Sequence, residues 1–205
     1  HRYSSAASDV YKRQIPVTVK CRTGVDDNDD YDFLKSFIGT VKDSGVKTFI
    51  IHARKGILKG LSPRQNRNIP PLNYQKVYSI KDDFPELEII INGGIKNISE
   101  AKNHLNFVDG VMLGRAAYDD PFMLSDIDSE IYANTKIEIS RKDLLTEYLD
   151  YVHLMTKKGY DPKIMLKHVF GLKKGEKDAK RFRVKVAEIM NSSSLVENKD
   201  ELLSM

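Results

Sequence analysis

Four apolar runs of the chain each end in a different polar or glycine signature, in a fixed order. These signatures are Lys20, His52, Asn92 with Gly93 and Gly94, and Gly114 with Arg115. Short apolar runs rich in Ile and Val are typical of buried parallel strands. Because chemistry in parallel α/β folds gathers at the carboxyl ends of the strands, we expect these residues to form one site built from four loops.

The two glycine signatures favour a phosphate site. Asn92-Gly93-Gly94 follows three isoleucines directly, and glycines at such a point allow backbone N–H groups to approach an anion closely. Gly114 precedes Arg115 at the end of the next run, where a guanidinium can add a charge-assisted hydrogen bond. The spacing predicts phosphate binding between consecutive strands, and two ordinary tight turns are the alternative.

Lys20 requires a partner, because a cation at the inner end of a buried strand is costly without one. Three partners are open: the N1/O2 edge of a flavin ring, a nearby carboxylate, or a carbonyl substrate that forms a Schiff base. For His52, catalytic and structural roles are equally open. Cys21, next to Lys20, should point away from it, because side chains alternate along a strand. The five histidines show no metal-ligand spacing, so we predict no metal.

The elements that must position these residues follow a strand–helix alternation. Strands are predicted at 15–20, 47–54, 87–92 and 108–113, and helices at 33–44, 73–83, 100–105 and from 116, with caps at Asp30 or Asp32 and at Ser99 and a helix end at Gly45. Such βαβ units form a parallel sheet. Four units predict an α/β fold, the C-terminal half of a (β/α)₈ TIM barrel.

The pattern changes after the fourth unit. Ser140 and Asp161-Pro162 are predicted to begin two helices with apolar stripes, and a third helix, basic on one face, begins near residue 178. The predicted domains are therefore a leader at 1–14, a partial barrel at 15–137 and an all-α helical domain at 138–205. Residues 1–14 have no helix or strand period and resemble translated library-adapter sequence; a native disordered arm is the alternative.

Composition limits the class of protein. The chain has 205 residues, 30% of them charged, and a net charge of +4. No apolar run approaches the ~20 residues of a membrane helix, and no secretory signal is recognised, so we expect a cytoplasmic protein. A single cysteine excludes an internal disulfide framework.

Several segments together resemble the A-type bacterial branch of the tRNA-dihydrouridine synthases. They are VTVKCRTG, FIIHARKGILKGLSPRQNRNIPPL, LEIIINGGI and DGVMLGRAAYDDP, and the resemblance extends from Ile15 to at least Phe182. It implies an FMN-dependent TIM barrel followed by a helical tRNA-binding domain. In this family NADPH reduces the flavin, hydride passes from flavin N5 to C6 of a uridine in the tRNA D-loop region, and a cysteine protonates C5. The base must leave its stack to reach the flavin.

The resemblance also assigns residues. Those matching the FMN-binding motifs are Lys20, His52, Asn92, Gly93, Gly94, Gly114 and Arg115. Those matching tRNA contacts are Arg64, Arg67, Lys180 and Arg183. They lie in two basic clusters, after the second strand and in the terminal helical region, which suit a folded RNA held by its backbone. Family members tend to have Arg and Trp where this chain has Lys180 and Phe182.

The family's proton-donor cysteine lies in an N-x-G-C-P loop before the first strand predicted here. This chain has no such motif, and Cys21 stands in a different context. We therefore predict that the chain contains no catalytic residue of its own, is inactive alone, and belongs to an enzyme that is monomeric at full length. The alternatives are another FMN-dependent barrel oxidoreductase of the dihydroorotate dehydrogenase type, a flavin-free phosphate-binding barrel in which Lys20 forms a Schiff base, or a non-catalytic tRNA-binding remnant.

Overall fold

The computed structural model describes residues 15–135, 138–192 and 195–204, so the prediction for the leader at 1–14 lies outside the described residues. Contacts divide the chain into two compact units, one ending at Gly114 and the other beginning at Arg115. We call them the sheet unit and the helical unit, and describe each by itself.

The sheet unit contains four parallel strands in sequential order: β1 (Thr18–Arg22), β2 (Thr48–His52), β3 (Glu88–Asn92) and β4 (Gly110–Met112). The predicted α/β class with a parallel sheet is therefore present. The register aligns Arg22 with His52, His52 with Asn92, and Asn92 with Met112 at the carboxyl ends of the strands. Lys20 does not end its strand as predicted. Pairing continues through Cys21 and Arg22, so Lys20 lies two residues before the end of β1, with its side chain on the same face as that of Arg22.

Three helices cover one face of this sheet: α1 (Tyr31–Asp43), α2 (Tyr74–Asp83) and α3 (Ile98–His104). Alternate strand residues point toward them and are fully buried with helix residues, namely Phe49, Ile51, Ile89 and Ile91 with Leu34, Ile38, Val77 and Ile80. On the other face Ile50 and Ile90 are half-buried and Lys20 is exposed. The sheet therefore presents the predicted polar residues on the face opposite the helix layer.

Helix ends in the sheet unit follow local chemistry. Asp30 accepts a hydrogen bond from the Phe33 N–H at 2.7 Å and caps α1, and Gly45 follows that helix with a φ of 95°, both as predicted. The predicted cap at Ser99 is wrong. Asn97 is in extended backbone, and its side chain accepts from the Glu100 N–H at 2.8 Å, so α3 begins at Ile98.

The helical unit contains α4 (Arg115–Asp119), α5 (Ile127–Glu130), α6 (Arg141–Lys157), α7 (Pro162–Leu166), α8 (Ala179–Ser192) and α9 (Leu195–Ser204), with 3₁₀ turns at Pro121–Asp126 and Lys167–Val169. Ser140 caps α6 in a reciprocal pair with Asp143, and Asp161 caps α7 with Pro162 in its first turn, as predicted. Buried residues from several helices form its core, including Leu145, Leu149, Leu166, Phe182 and Ile189.

The division between the two units falls earlier than the predicted domain boundary between residues 137 and 138. The segment after Gly114 packs on the later helices. The Arg141 guanidinium lies 4.0 Å from the centroid of the Phe122 ring, and the Tyr118 and His168 rings meet edge to face at 5.7 Å. These contacts are the physical reason for the earlier division. Across the described ranges, the helices all lack the combination of length and apolar character that a membrane crossing requires.

Candidate functional site

A chain of two side-chain hydrogen bonds joins the strands of the sheet unit. Lys20 Nζ donates to Asn92 Oδ1 at 3.0 Å, passing over β2, and Asn92 Nδ2 donates to the Met112 carbonyl at 2.7 Å. The side chain of Lys20 is exposed as a whole, yet partial desolvation lowers the pKa of its ammonium. Of the partners open from sequence, the carboxylate is not the one found, because an amide oxygen accepts from Lys20.

The turn after β3 needs both of its glycines. Gly93 and Gly94 have φ values of 115° and 74°, which side chains disfavour. A Cβ at Gly94 would lie 2.5 Å from Leu72 Cδ1, and one at Gly93 would lie 3.3 Å from the His52 ring atoms Cε1 and Nε2. Leu72, Tyr74 and His52 thus fill the space where side chains at these two positions would lie. Without side chains, the glycines leave the backbone of the turn open to a ligand.

His52 ends β2 and lies beside this turn. Its ring is half-buried and in near contact with Gly93, and its backbone pairs with Asn92 in the sheet register. The structure therefore brings together His52, Asn92, Gly93 and Gly94, with Lys20 joined through Asn92. We call these five residues the strand-end site.

Gly114 and Arg115 lie on either side of the division between the units. Gly114 is exposed two residues after β4, and a Cβ added to it would have no atom within 4 Å. Steric crowding by the described residues therefore does not explain the glycine at position 114. Arg115 is the exposed first residue of α4 in the helical unit. The participation of both residues in a phosphate site stays a prediction.

Tyr74 is a residue of this site that the sequence reasoning missed. It begins α2, and its hydroxyl donates to the Gly93 carbonyl at 2.9 Å and would lie 3.0 Å from a Cβ at Gly94. The tyrosine precedes β3 by a whole helix, so no periodicity in the sequence indicates this contact. The one local signal is Asn73, the helix cap, which fixes where α2 begins.

A second missed pair, Arg22 and Asn66, shapes the long loop after β2. Arg22 Nη1 donates to the carbonyls of Lys55 and Asn66 at 2.9 and 3.1 Å. The Asn66 side chain accepts from the Ile57 N–H at 2.8 Å and donates to the Ile57 carbonyl at 2.6 Å. These bonds tie the loop that carries Arg64 and Arg67 to the end of β1.

The four predicted tRNA-contact residues are exposed in their own units. Arg64 precedes the 3₁₀ turn Gln65–Arg67, and Arg67 is its last residue. Lys180 and Arg183 lie three residues apart on α8 and therefore share a face of that helix. Two more cations, Lys55 in the loop after β2 and Lys185 on α8, are held in ion pairs. Lys55 pairs with Asp29 at 3.1 Å, and Lys185 pairs with Glu201 at 2.6 Å.

Cys21 packs against the core on the helix-covered face, away from Lys20, which confirms its predicted direction. Burial raises the pKa of this thiol to about 12. Among the residues that the structure describes, His, Cys, Asp and Glu form no group of three or more that could hold a metal ion.

Comparison with known proteins gives a consistent result. The model of the dihydrouridine synthase family matches residues 2–204. The tRNA-dihydrouridine(20/20a) synthase of Shewanella oneidensis is 45% identical over 174 residues, which are 85% of this chain and 52% of that protein. The synthase of the same name from Vibrio cholerae is 44% identical over 175 residues, covering 85% and 54% of the two chains. The one from Shigella flexneri is 45% identical over 175 residues, covering 85% and 52%.

The parallel α/β sheet and the strand-end site thus occur in a chain that belongs to the dihydrouridine synthase family. The family is one of oxidoreductases, and the recognition made from the sequence motifs is confirmed. The chain spans about half the length of the curated relatives it matches.

Proposed function

We propose that this chain provides the flavin-holding part of an enzyme that reduces uridine to dihydrouridine in the D-loop region of tRNA. In this proposal the sheet unit is the C-terminal half of a (β/α)₈ barrel and the helical unit binds tRNA. The observation that carries it is the hydrogen-bonded chain from Lys20 through Asn92 to Met112, beside a turn whose glycines both have positive φ.

The described residues fit FMN. The reduced ring of a flavin is anionic at its N1/O2 edge, and Lys20 offers an ammonium held in place by Asn92. Gly93 and Gly94 have no side chains that could screen the backbone N–H groups of this turn from a phosphate, and their positive φ values favour glycine there. Gly114 and Arg115 complete the proposed phosphate site. When bound, FMN supplies a ring that takes hydride from NADPH and delivers it to C6 of the uracil.

The residues of this chain have separate tasks in that reaction. Lys20 balances negative charge at the ring edge, and Asn92 fixes the direction of Lys20. His52 contacts the flavin ring or its ribityl chain from the end of β2. The exposed cations Arg64, Arg67, Lys180 and Arg183 hold the tRNA backbone, an interaction that weakens with salt.

The proton for C5 does not come from Cys21 in this proposal. Its thiol faces the helix layer rather than the strand-end site, and its pKa of about 12 makes it a weak acid. We propose that the 205-residue chain by itself binds FMN and tRNA but forms no dihydrouridine.

The test has two parts on the same preparation. Equilibrium dialysis against FMN measures binding by the absorbance of the retained flavin, and incubation with unmodified tRNA, FMN and NADPH measures dihydrouridine by mass spectrometry of the digested RNA. We expect saturable FMN binding without dihydrouridine above the no-enzyme control. Absence of FMN binding by the folded chain would contradict the cofactor assignment, and turnover would contradict the assignment of the proton donor to another segment.

A further inference from the structure

We infer that Tyr74 is a positioning residue for phosphate binding, which acts by fixing the orientation of the peptide bond between Gly93 and Gly94. This inference rests on the proposed FMN site and adds a residue to it. The Tyr74 hydroxyl donates to the Gly93 carbonyl at 2.9 Å. It therefore holds one end of the peptide whose other end is the Gly94 N–H.

Peptide geometry transmits that contact. A trans peptide is planar, so its C=O and N–H point in opposite directions. With the Gly93 carbonyl held toward Tyr74, the Gly94 N–H must point away from α2. This N–H makes no hydrogen bond within the described part of the chain. A glycine peptide rotates easily, since neither residue has a side chain to restrain it. By restricting this rotation, Tyr74 reduces the conformational entropy that the turn loses when the Gly94 N–H binds an anion.

Tyr74 is itself held firmly. The N–H of its neighbour Asn73 donates to the Ala53 carbonyl at 2.8 Å, which attaches the start of α2 to the segment after β2. The ring meets that of the buried His104 edge to face at 4.4 Å, and His104 Nδ1 is 2.6 Å from the Tyr78 hydroxyl. Burial raises the pKa of the Tyr74 phenol, so the hydroxyl stays protonated and remains a donor.

The test compares two ligands that differ in the phosphate. FMN carries it and riboflavin does not, while the ring and ribityl chain are the same. We expect Tyr74→Phe to weaken FMN binding about tenfold, the size of one lost hydrogen bond, and to leave riboflavin binding within about twofold. The matched control is Tyr148→Phe, which loses a hydroxyl that donates to the Met165 carbonyl at 3.1 Å in the helical unit, and should leave both affinities near wild type.

The outcomes separate this inference from the function on which it rests. The measured quantity is the ratio of the two dissociation constants. A smaller fraction of folded protein affects both constants equally and leaves their ratio unchanged. If wild-type protein binds neither flavin, the proposed FMN site itself fails. If wild type prefers FMN to riboflavin and Tyr74→Phe keeps that preference, or weakens both ligands equally, the FMN site stands and the role of Tyr74 is overturned.

Discussion

The ammonium of Lys20 reaches over β2 to the side-chain amide of Asn92, with 3.0 Å between Nζ and Oδ1. The two residues are 72 positions apart in sequence, and β2 lies between their strands. Because the other end of the Asn92 amide is bonded to the Met112 carbonyl, the amide cannot rotate without losing both contacts. Lys20 is therefore directed by a neighbour that adds no charge of its own.

Replacing Lys20 by methionine should weaken FMN binding at least tenfold. The substitution keeps an unbranched side chain, one atom shorter, and removes the cation opposite the proposed anionic edge of the ring; a charge-assisted contact is worth about 1.5–3 kcal/mol. Equilibrium dialysis measures the change. Lys47→Met is the matched control, since Lys47 is exposed before the start of β2. Equal affinity of both variants would contradict a role for Lys20 at the flavin.

Gly94→Ala should destabilise the sheet unit by about 1–3 kcal/mol, because the new methyl meets Leu72 Cδ1 at 2.5 Å and the φ of 74° becomes strained. Urea unfolding followed by circular dichroism measures the loss. Gly39→Ala is the control. Gly39 is inside α1 and its added Cβ would meet the nearest atom, Phe84 Cζ, at an ordinary 3.8 Å, so this variant should gain stability or stay neutral.

Removing the charges of Lys180 and Arg183 together should weaken tRNA binding by the chain and reduce its salt dependence. Each lost phosphate contact lowers the number of counterions released, so the slope of log affinity against log salt should fall by about one per contact. Filter binding at several salt concentrations measures the slope. The double variant Lys157→Ala/Lys163→Ala, at two exposed lysines of α6 and α7 outside the predicted set, removes the same net charge and is the control. An equal effect of the control would show that Lys180 and Arg183 add nothing specific.

Asp109 should make the sheet unit sensitive to acid. Burial alone would raise the pKa of this carboxyl, but hydrogen bonds from Lys81 and from the Ile89 N–H, each at 2.8 Å, hold it below its ordinary 3.8. Stability from a lowered carboxyl pKa is present above the ordinary value and is lost as the pH falls through the folded value. We expect Asp109→Asn to be less stable than wild type near pH 7, with the difference shrinking below about pH 4. Urea midpoints across pH measure it, and a constant difference would contradict the assignment.

Cys21 should resist alkylation in the folded chain. Because burial raises the pKa of its thiol from 9.0 to about 12, the reactive thiolate is scarce at neutral pH. We expect iodoacetamide to react at least about a hundredfold more slowly with folded than with urea-unfolded protein, as followed by mass spectrometry. Similar rates in the two states would show that the thiol is open to solvent, and would reopen the question of its role.

Periodicity predicted the parallel strands and most helices because each strand buries one apolar residue in two against helices with matching stripes, as Phe49, Ile51 and Leu34 do. The glycine signature of Gly93 and Gly94 marked the turn, since positive φ selects glycine. The sequence predicts Lys20 as the last residue of β1, whereas strand pairing continues to Arg22. An apolar run does not show how many of the polar residues after it still pair. Tyr74 and Arg22 could not be predicted, since their bonds join segments distant in sequence.

The paired hydrogen bonds between Asn66 and Ile57 close a ring in the loop after β2. Surface loops usually accept insertions, but this ring fixes the separation of its two ends, and Arg22 anchors one of them to the sheet. Extra residues can enter at Gly60, which is exposed and where an added Cβ would have no atom within 4 Å. An insertion between Asn66 and Arg67 would move Arg67 away from the fixed Asn66. Variation in loop length among related chains should therefore concentrate between Ile57 and Asn66. The spacing between Asn66 and Arg67 should stay constant.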